Sequence, residues 1–361
     1  MTATTAIRTD ESNSFASGRL PRAAPWWVLA ACLAASAAVF ALLGAGAPIA
    51  EFNIVGTVFI GMVAYTIVIV AIARLVEGQR RATDRFVTTL VTLAFVIALL
   101  PLISLVFTVI TNGLPRFDLE FFTYSMRSIV GEGGGAIHAI VGTLLMTGTA
   151  AVISIPIGLM ASIYLVEYGR GRLARAITFF VDVMTGIPSI VAGLFAYAVF
   201  SALLGPGERL GLAGAMALAV LMIPVVVRSS EEMLRLVPNE LREAAFALGV
   251  PKWLMIVKVV LPTSIAGITT GIMLSIARVI GETAPLLIAA GFTNNLNYDL
   301  TEGRMQSLPV FVYTSYVAQG TDAQAYLDRA WAGALTLILI VMLLNLIARL
   351  VARQFAPKLG R

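Results

Sequence analysis

The sequence predicts an all-α polytopic membrane protein of eight spanning helices, with both ends on the cytoplasmic side. Three observations carry this. Of the 361 residues, 59% are hydrophobic and only 12% charged, where ordinary soluble domains run at about 25% charged. So few ionic groups cannot cover a soluble chain of this size, and the mean hydropathy of +0.91 agrees. Apolar runs of roughly 20 residues, enough to cross a bilayer, recur along the whole chain. Lys and Arg collect in alternate connections, which sets the sidedness. A soluble enzyme and a nucleic-acid binder are thereby set aside as leading readings. One Cys excludes a disulfide framework and a Cys-based metal site, and one His leaves little for metal chemistry.

The expected spans are 26–47, 52–73, 86–111, 137–166, 176–204, 210–227, 261–290 and 331–350. The first opens on Trp26-Trp27 at interfacial depth and is followed at once by another span, so it reads as a retained helix rather than a cleaved signal. Nineteen of the 25 Lys and Arg fall in the two tails and in the connections at 74–85, 170–175 and 228–258. The alternate connections hold only Arg116, Arg127, Arg209, Arg304 and Arg329, and Arg278 lies inside a span. The basic pI of about 9.6 is thus a topology signal and requires no polyanion partner. The outer segments at 113–136 and 291–330 are the long ones and carry Asp118, Glu120, Glu132, Asp299, Glu302, Asp322 and Asp328. They offer a surface to a soluble partner or serve as solvated linkers. His138, at an external helix start, reads as structural.

The connection 228–258 does not have the composition of a loop. Asn239 is suited to cap a helix, with Glu240 and Glu243 in a first turn where the dipole favours anions. Gly249 suits a left-handed C-terminal cap and Pro251 stops propagation. Leu241, Ala244, Ala245 and Leu248 recur at helical spacing and form one narrow apolar face. A short amphipathic helix on the cytoplasmic side follows. It lies on the headgroups or docks into a protein groove, and its alanine-centred stripe favours the groove.

Charges inside spans are costly and mark function by default. Arg278 and Glu282 stand four apart and are expected one above the other on a single helix face. They form an ion pair that eases insertion, or a polar pathway whose guanidinium fork suits an oxyanion. Arg228 ends the sixth span three residues before Glu231. Asp182 has no basic partner on its own helix, and Pro188 just beyond it predicts a break in the fifth span. No lysine follows a glycine, so a phosphate-cradling G-x-x-x-x-G-K-[ST] loop is absent. Nucleotide-driven work needs a separate subunit.

Glu243-Ala244-Ala245, three residues, then Gly249, then nine residues to Val259 before Leu261-Pro262 resembles the EAA loop of ABC importer permeases, with Val259 standing where that pattern has Ile. The resemblance sharpens at Ala277-Arg278-Val279-Ile280-Gly281-Glu282-Thr283-Ala284-Pro285-Leu286-Leu287, at Thr185-Gly186-Ile187-Pro188-Ser189-Ile190-Val191 and at Ile223–Glu231. These are similar to the PstA family of phosphate importer permeases over roughly 86–352. The resemblance implies a type I ABC importer fold with a six-helix core, and the chain departs from that pattern in adding two helices before it. The expected divisions are a disordered polar tail at 1–24, the extra hairpin at 25–80, a first core helix and external loop at 81–136, a permease core at 137–352 with its EAA loop at 231–262, and a tail at 353–361. The resemblance also implies inorganic phosphate as substrate, a PstC-like permease as partner in a heterodimer, a PstB-like ATPase dimer that binds ATP and Mg, and a PstS-like phosphate-binding protein. Arg228, Glu231, Arg278 and Glu282 would line the pathway, and Glu243, Ala244, Ala245 and Gly249 would couple to the ATPase. The chain itself would be non-catalytic and hold no cofactor, in the bacterial inner membrane. A permease for another oxyanion or polar solute would keep the docking helix without needing Arg278 and Glu282. A secondary transporter would need no ATPase, and neither inverted repeats nor clustered catalytic residues are seen to favour it.

Overall fold

The computed structural model describes residues 20–21, 23–43, 54–320 and 322–355. The tails expected at 1–24 and 353–361 lie almost wholly outside these residues, and Arg8, Arg19, Arg22, Lys358 and Arg361 with them. The chain divides into two compact units, Met1–Val106 and Phe107–Arg361.

In the first unit α1 (Ala24–Leu43) packs along α2 (Ile54–Val76). A Cβ at Gly61 would fall 2.7 Å from Leu33 Cδ2, so the two backbones are close. Ser36 Oγ donates to the Thr57 carbonyl at 2.7 Å across the same contact. The long α3 (Gln79–Gly113) starts in this unit. Glu77, in the turn before it, is 6% exposed. Its carboxylate accepts both Arg85 Nε and Nη2, at 2.5 and 2.9 Å, and the Leu20 N–H at 2.9 Å. The Arg85 hydrogen bonds hold the carboxyl down to about 2.

The second unit carries the bundle. A short α4 (Leu119–Thr123) is capped by Asp118, whose side chain accepts the Phe121 N–H. Then α5 (Ile137–Ile163) runs on into a π-helical turn at Tyr164–Tyr168. Next come α6 (Arg172–Thr185) and α7 (Ser189–Leu204), bent by 108°. The span expected at 176–204, with its break at Pro188, is thus a bent pair of helices. Pro188 has no N–H for the ladder and disfavours helical geometry at Ile187, so the helix stops and restarts there. α8 (Gly211–Arg235) is straight enough to span. It is followed by α9 (Asn239–Ala247), α10 (Lys252–Met255), a second π-helical turn at Ile256–Val260, and α11 (Leu261–Val279). The run Lys252–Val279 is one spanning helix, so the span expected at 261–290 begins earlier and stops sooner. α12 (Ala284–Ala289), α13 (Leu308–Val317) and α14 (Ala323–Phe355) complete the order. Among the described residues seven helices are long and apolar enough to cross a membrane, or eight with the bent pair taken as one.

α8 sits at the centre, packed by α5, α7, α11 and α12. Small residues let these backbones approach, as membrane helices require when no hydrophobic drive holds them together. A Cβ at Gly158 would lie 2.6 Å from Val226 Cγ1, and one at Gly193 on α7 only 2.5 Å from Pro285 Cα on α12. Met146, Ala150, Leu218, Met222 and Leu286 fill the gaps around α8.

Two outcomes follow. Gly193→Leu forces α7 off α12 and lowers the thermal midpoint of the purified protein by an amount equivalent to about 1–3 kcal/mol. Gly148→Ala, where a Cβ meets nothing within 4 Å, leaves the midpoint unchanged or raised. The second concerns pH. Because the Arg85 hydrogen bonds hold the folded Glu77 carboxyl down to about 2, below its ordinary 4.5, its contribution is complete above about 4.5 and disappears as pH falls through 2. The stability gap between wild type and Glu77→Gln is largest at neutral pH and closes toward pH 2.

Candidate functional site

The spacing of α8 explains its inner end. Val227, Ser230, Glu231 and Leu234 recur at helical intervals and are buried. Arg228 and Arg235 flank that buried stripe, three residues before and four after Glu231. Glu231, 4% exposed, receives Arg228 Nη1 at 2.9 Å and Arg235 Nη2 at 2.5 Å. Arg228 Nη2 reaches across to Asp182 on α6. The missing partner of Asp182 is therefore found 46 residues away, on another helix. A cavity of about 420 Å³ opens beside the cluster, lined in part by Arg175, Asp182, Glu231 and Arg235. The Asp182 side chain is 59% exposed while that of Glu231 is 5% exposed. Of the two carboxylates on Arg228, one is thus exposed and the other, on α8 itself, buried.

Arg278 and Glu282 are not stacked on one helix face. α11 ends at Val279, and Glu282 lies in the break before α12. Continuing the helix would set the Pro285 ring against the Gly281 carbonyl, and Pro285 at the start of α12 is instead well placed. Arg278 is exposed in the last turn of α11, where the helix dipole favours a cation, and Glu282 is half-buried. Among the described residues neither side chain has an ion pair or side-chain hydrogen bond. The structure does not join them to the Arg228 cluster.

α9 forms as its residues specify, with one change at its start. Pro238 takes the N-cap position and Asn239 becomes the first helical residue. At the other end the Gly249 N–H donates to the Phe246 carbonyl at 2.9 Å and the Val250 N–H to that of Ala245 at 3.1 Å. Gly249, with φ +73, supplies the left-handed residue this closure needs. The apolar stripe is divided. Ala245 is buried with Leu234, Val237, Met255, Ile256 and Val260. Leu241, Glu243, Ala244 and Leu248 are exposed. Sequence reasoning missed the anchor of this helix: Arg242 Nε and Nη2 both donate to Glu167 Oε1, at 3.0 and 2.9 Å. A helix-internal Arg facing a Glu 75 residues earlier leaves no local signal.

His138 is 2% exposed and packs edge-on against Phe311. Between α12 and α13 Asp299 accepts from both the hydroxyl and the N–H of Thr301, which holds its carboxyl below the usual range.

Residues 154–361 match the family described as binding-protein-dependent transport system inner membrane component. A chain of the inward-facing MetNI methionine ABC transporter has a TM-score of 0.51 at 20% identity, over 61% of this chain and 96% of that one. A chain of a bacterial alginate ABC transporter has a TM-score of 0.51 at 14% identity, over 80% and 100%. The fold is that of type I ABC importer permeases, pore components without catalytic activity. Among curated relatives, the phosphate transport system permease protein PstA 1 of Mycobacterium tuberculosis strain H37Rv is 48% identical over 276 residues, 76% of this chain and 88% of its own length. PstA of Pasteurella multocida is 42% identical over 272 residues, 75% and 95%. The chain belongs to the PstA family of permease subunits and is a multi-pass protein of the inner membrane.

The cluster on α8 carries a prediction. Removing Arg228 or Arg235 singly leaves Glu231 one guanidinium, whereas Arg228→Ala with Arg235→Ala leaves a buried unpaired carboxylate, costing about 3–5 kcal/mol. Thermal melts of the two single variants and the double are expected to show a loss well above the sum of the singles.

Proposed function

We propose that this chain is the permease subunit of an ATP-driven importer of inorganic phosphate, working by alternating access. The observation that carries the reading is the α8 cluster, a guanidinium shared between a buried and an exposed carboxylate beside a polar cavity. Phosphate is an oxyanion that accepts the paired donors of an arginine. A pathway for it needs cations strong enough to admit it and carboxylates that compete so that it leaves. Arg228 with Asp182 and Glu231 supplies that competition. Arg278, exposed and without an ion pair among the described residues, supplies a second cationic position, with Glu282 in the adjoining helix break.

The chain works as one member of a multi-subunit ABC importer. In the finer reading a PstC-like permease completes the pore, a PstB-like ATPase dimer binds ATP and Mg, and a PstS-like protein delivers phosphate to the outer loops. The exposed Leu241, Glu243, Ala244 and Leu248 of α9 form the surface that meets the ATPase. Gly249 ends the helix so that this surface stands free of the spans.

The test is phosphate uptake into vesicles containing the assembled complex. Arg278→Ala is expected to reduce ATP-driven uptake at least a hundredfold while the complex still assembles. Normal uptake by that variant would remove Arg278 from the pathway. An assembled, ATP-hydrolysing wild-type complex that moves no phosphate but moves another oxyanion would change the substrate and keep the importer.

A further inference from the structure

α9 is held to the membrane bundle by a small number of contacts, and one of them is of a different kind from the rest. Arg242 points away from the exposed surface of α9. Its Nε and Nη2 grip Glu167 Oε1, Nη1 donates to the Val237 carbonyl at 2.5 Å, and Nη2 also donates to the Leu234 carbonyl at 2.9 Å. The Leu234 carbonyl is in the last turn of α8, that of Val237 is in the connection just after it, and Glu167 is in the π-helical turn that ends α5. The side chains of Arg242 and Glu167 are only 14% and 5% exposed. Next to them Lys252, the first residue of α10, donates to the Glu167 backbone carbonyl and lies over the Tyr168 ring, 4.7 Å from its centroid. One guanidinium therefore joins α9, α8 and the end of α5, and the same π turn receives α10.

Hydrophobic contact alone could hold α9 in place. Ala245 already fits into the cluster of Leu234, Met255, Ile256 and Val260. Apolar contacts of that kind slide with little change in energy, because they are not directional. A guanidinium fixed by four hydrogen bonds, two to the π turn and two to carbonyls at and just beyond the end of α8, does not slide, since each donor has one direction. A buried ion pair is also a poor way to gain stability compared with well-packed apolar residues. Its advantage here is geometric.

We propose that Arg242 and Glu167 are positioning residues that lock α9 to the inner ends of α5 and α8, so that displacement of α9 moves those two helices as one body. The inference rests on the reading of α9 as the surface that docks the ATPase. Among the described residues the Glu167 carboxylate is bonded to Arg242 alone, so its role is to transmit motion and not to bind. Loss of the lock leaves the ATPase attached to a helix that yields locally while the bundle lags behind.

The experiment uses the complete complex with its ATPase and phosphate-binding protein, and reads three quantities on the same vesicles: ATPase retained, ATP hydrolysed and phosphate imported. Glu167→Gln is expected to retain the ATPase and hydrolyse ATP within about twofold of wild type, while phosphate moved per ATP falls at least fivefold. Arg242→Lys keeps the charge but cannot bridge all three elements, and is expected to lower the same ratio by a smaller factor. An unchanged ratio in Glu167→Gln, or uptake and hydrolysis falling together, overturns the proposal. If Glu167→Gln does not assemble, Arg242→Lys decides: a wild-type ratio there overturns it as well. Ala244→Asp, on the exposed face of α9, separates this from the underlying reading. Retention of the ATPase by that variant means that α9 is not the docking helix. Its release together with an unchanged ratio in Glu167→Gln means that α9 docks but the lock does not transmit.

Discussion

A helix can be surrounded on every side within a membrane bundle only if its neighbours come close enough to replace lipid by contact. α8 meets that condition with Ala213, Gly214, Ala215, Ala217 and Ala219 along its outer half, all buried. Met146 and Leu286 reach into the space these small residues leave, meeting Gly214 from α5 and α12. Everything at the inner end follows from this placement. A central α8 carries Glu231 inward, where a carboxylate must be paired, and Arg228 and Arg235 flank it from the same helix. Arg228 then reaches α6, so the cluster on the most buried helix also fastens a helix at the edge of a break.

The helix breaks serve the same end. Pro188 separates α6 from α7, and the segment before Pro285 separates α11 from α12. In both places backbone leaves the ladder beside an ionisable residue, Asp182 in one and Glu282 in the other. Irregular backbone at membrane depth is tolerated only where protein or water meets its polar groups. The contact of Gly193 with Pro285 brings α7 and α12, the helices that follow the two breaks, directly together.

Much of this was legible in the sequence. Hydropathy located the apolar helices, although some ends are displaced, as where the span expected to reach residue 290 stops at Val279; Pro188 marked the first break, and the Glu243–Gly249 pattern a short capped helix. What was not legible depends on distance in the chain. The i, i+4 spacing of Arg278 and Glu282 suggested a shared face because spacing assumes a continuous helix, and Pro285 three residues beyond Glu282 ends that assumption. Asp182 has its partner on α8 and Arg242 has its partner on α5, and no local rule connects residues 46 or 75 positions apart. The apolar stripe of α9 was read as one face, although its alanines divide between the protein's own interior and the outside. Periodicity shows which residues share a side of a helix and not what that side meets.

The two π-helical turns, at Tyr164–Tyr168 and Ile256–Val260, each fit one more residue into a turn than an α-helix would. Removing a single residue from either would let the ladder close as an α-helix with the flanking segments nearly in register, because the turn itself had absorbed the extra residue. A deletion in a regular α-helical turn of the same helices would instead rotate one side by about 100° against the other and shift it by about 1.5 Å. Above the first π turn such a rotation would carry Glu167 off Arg242. The ten residues of the two π turns are therefore the places in these helices where chain length is least constrained. Homologous chains should accept a one-residue deletion there more readily than in the α-helical turns on either side.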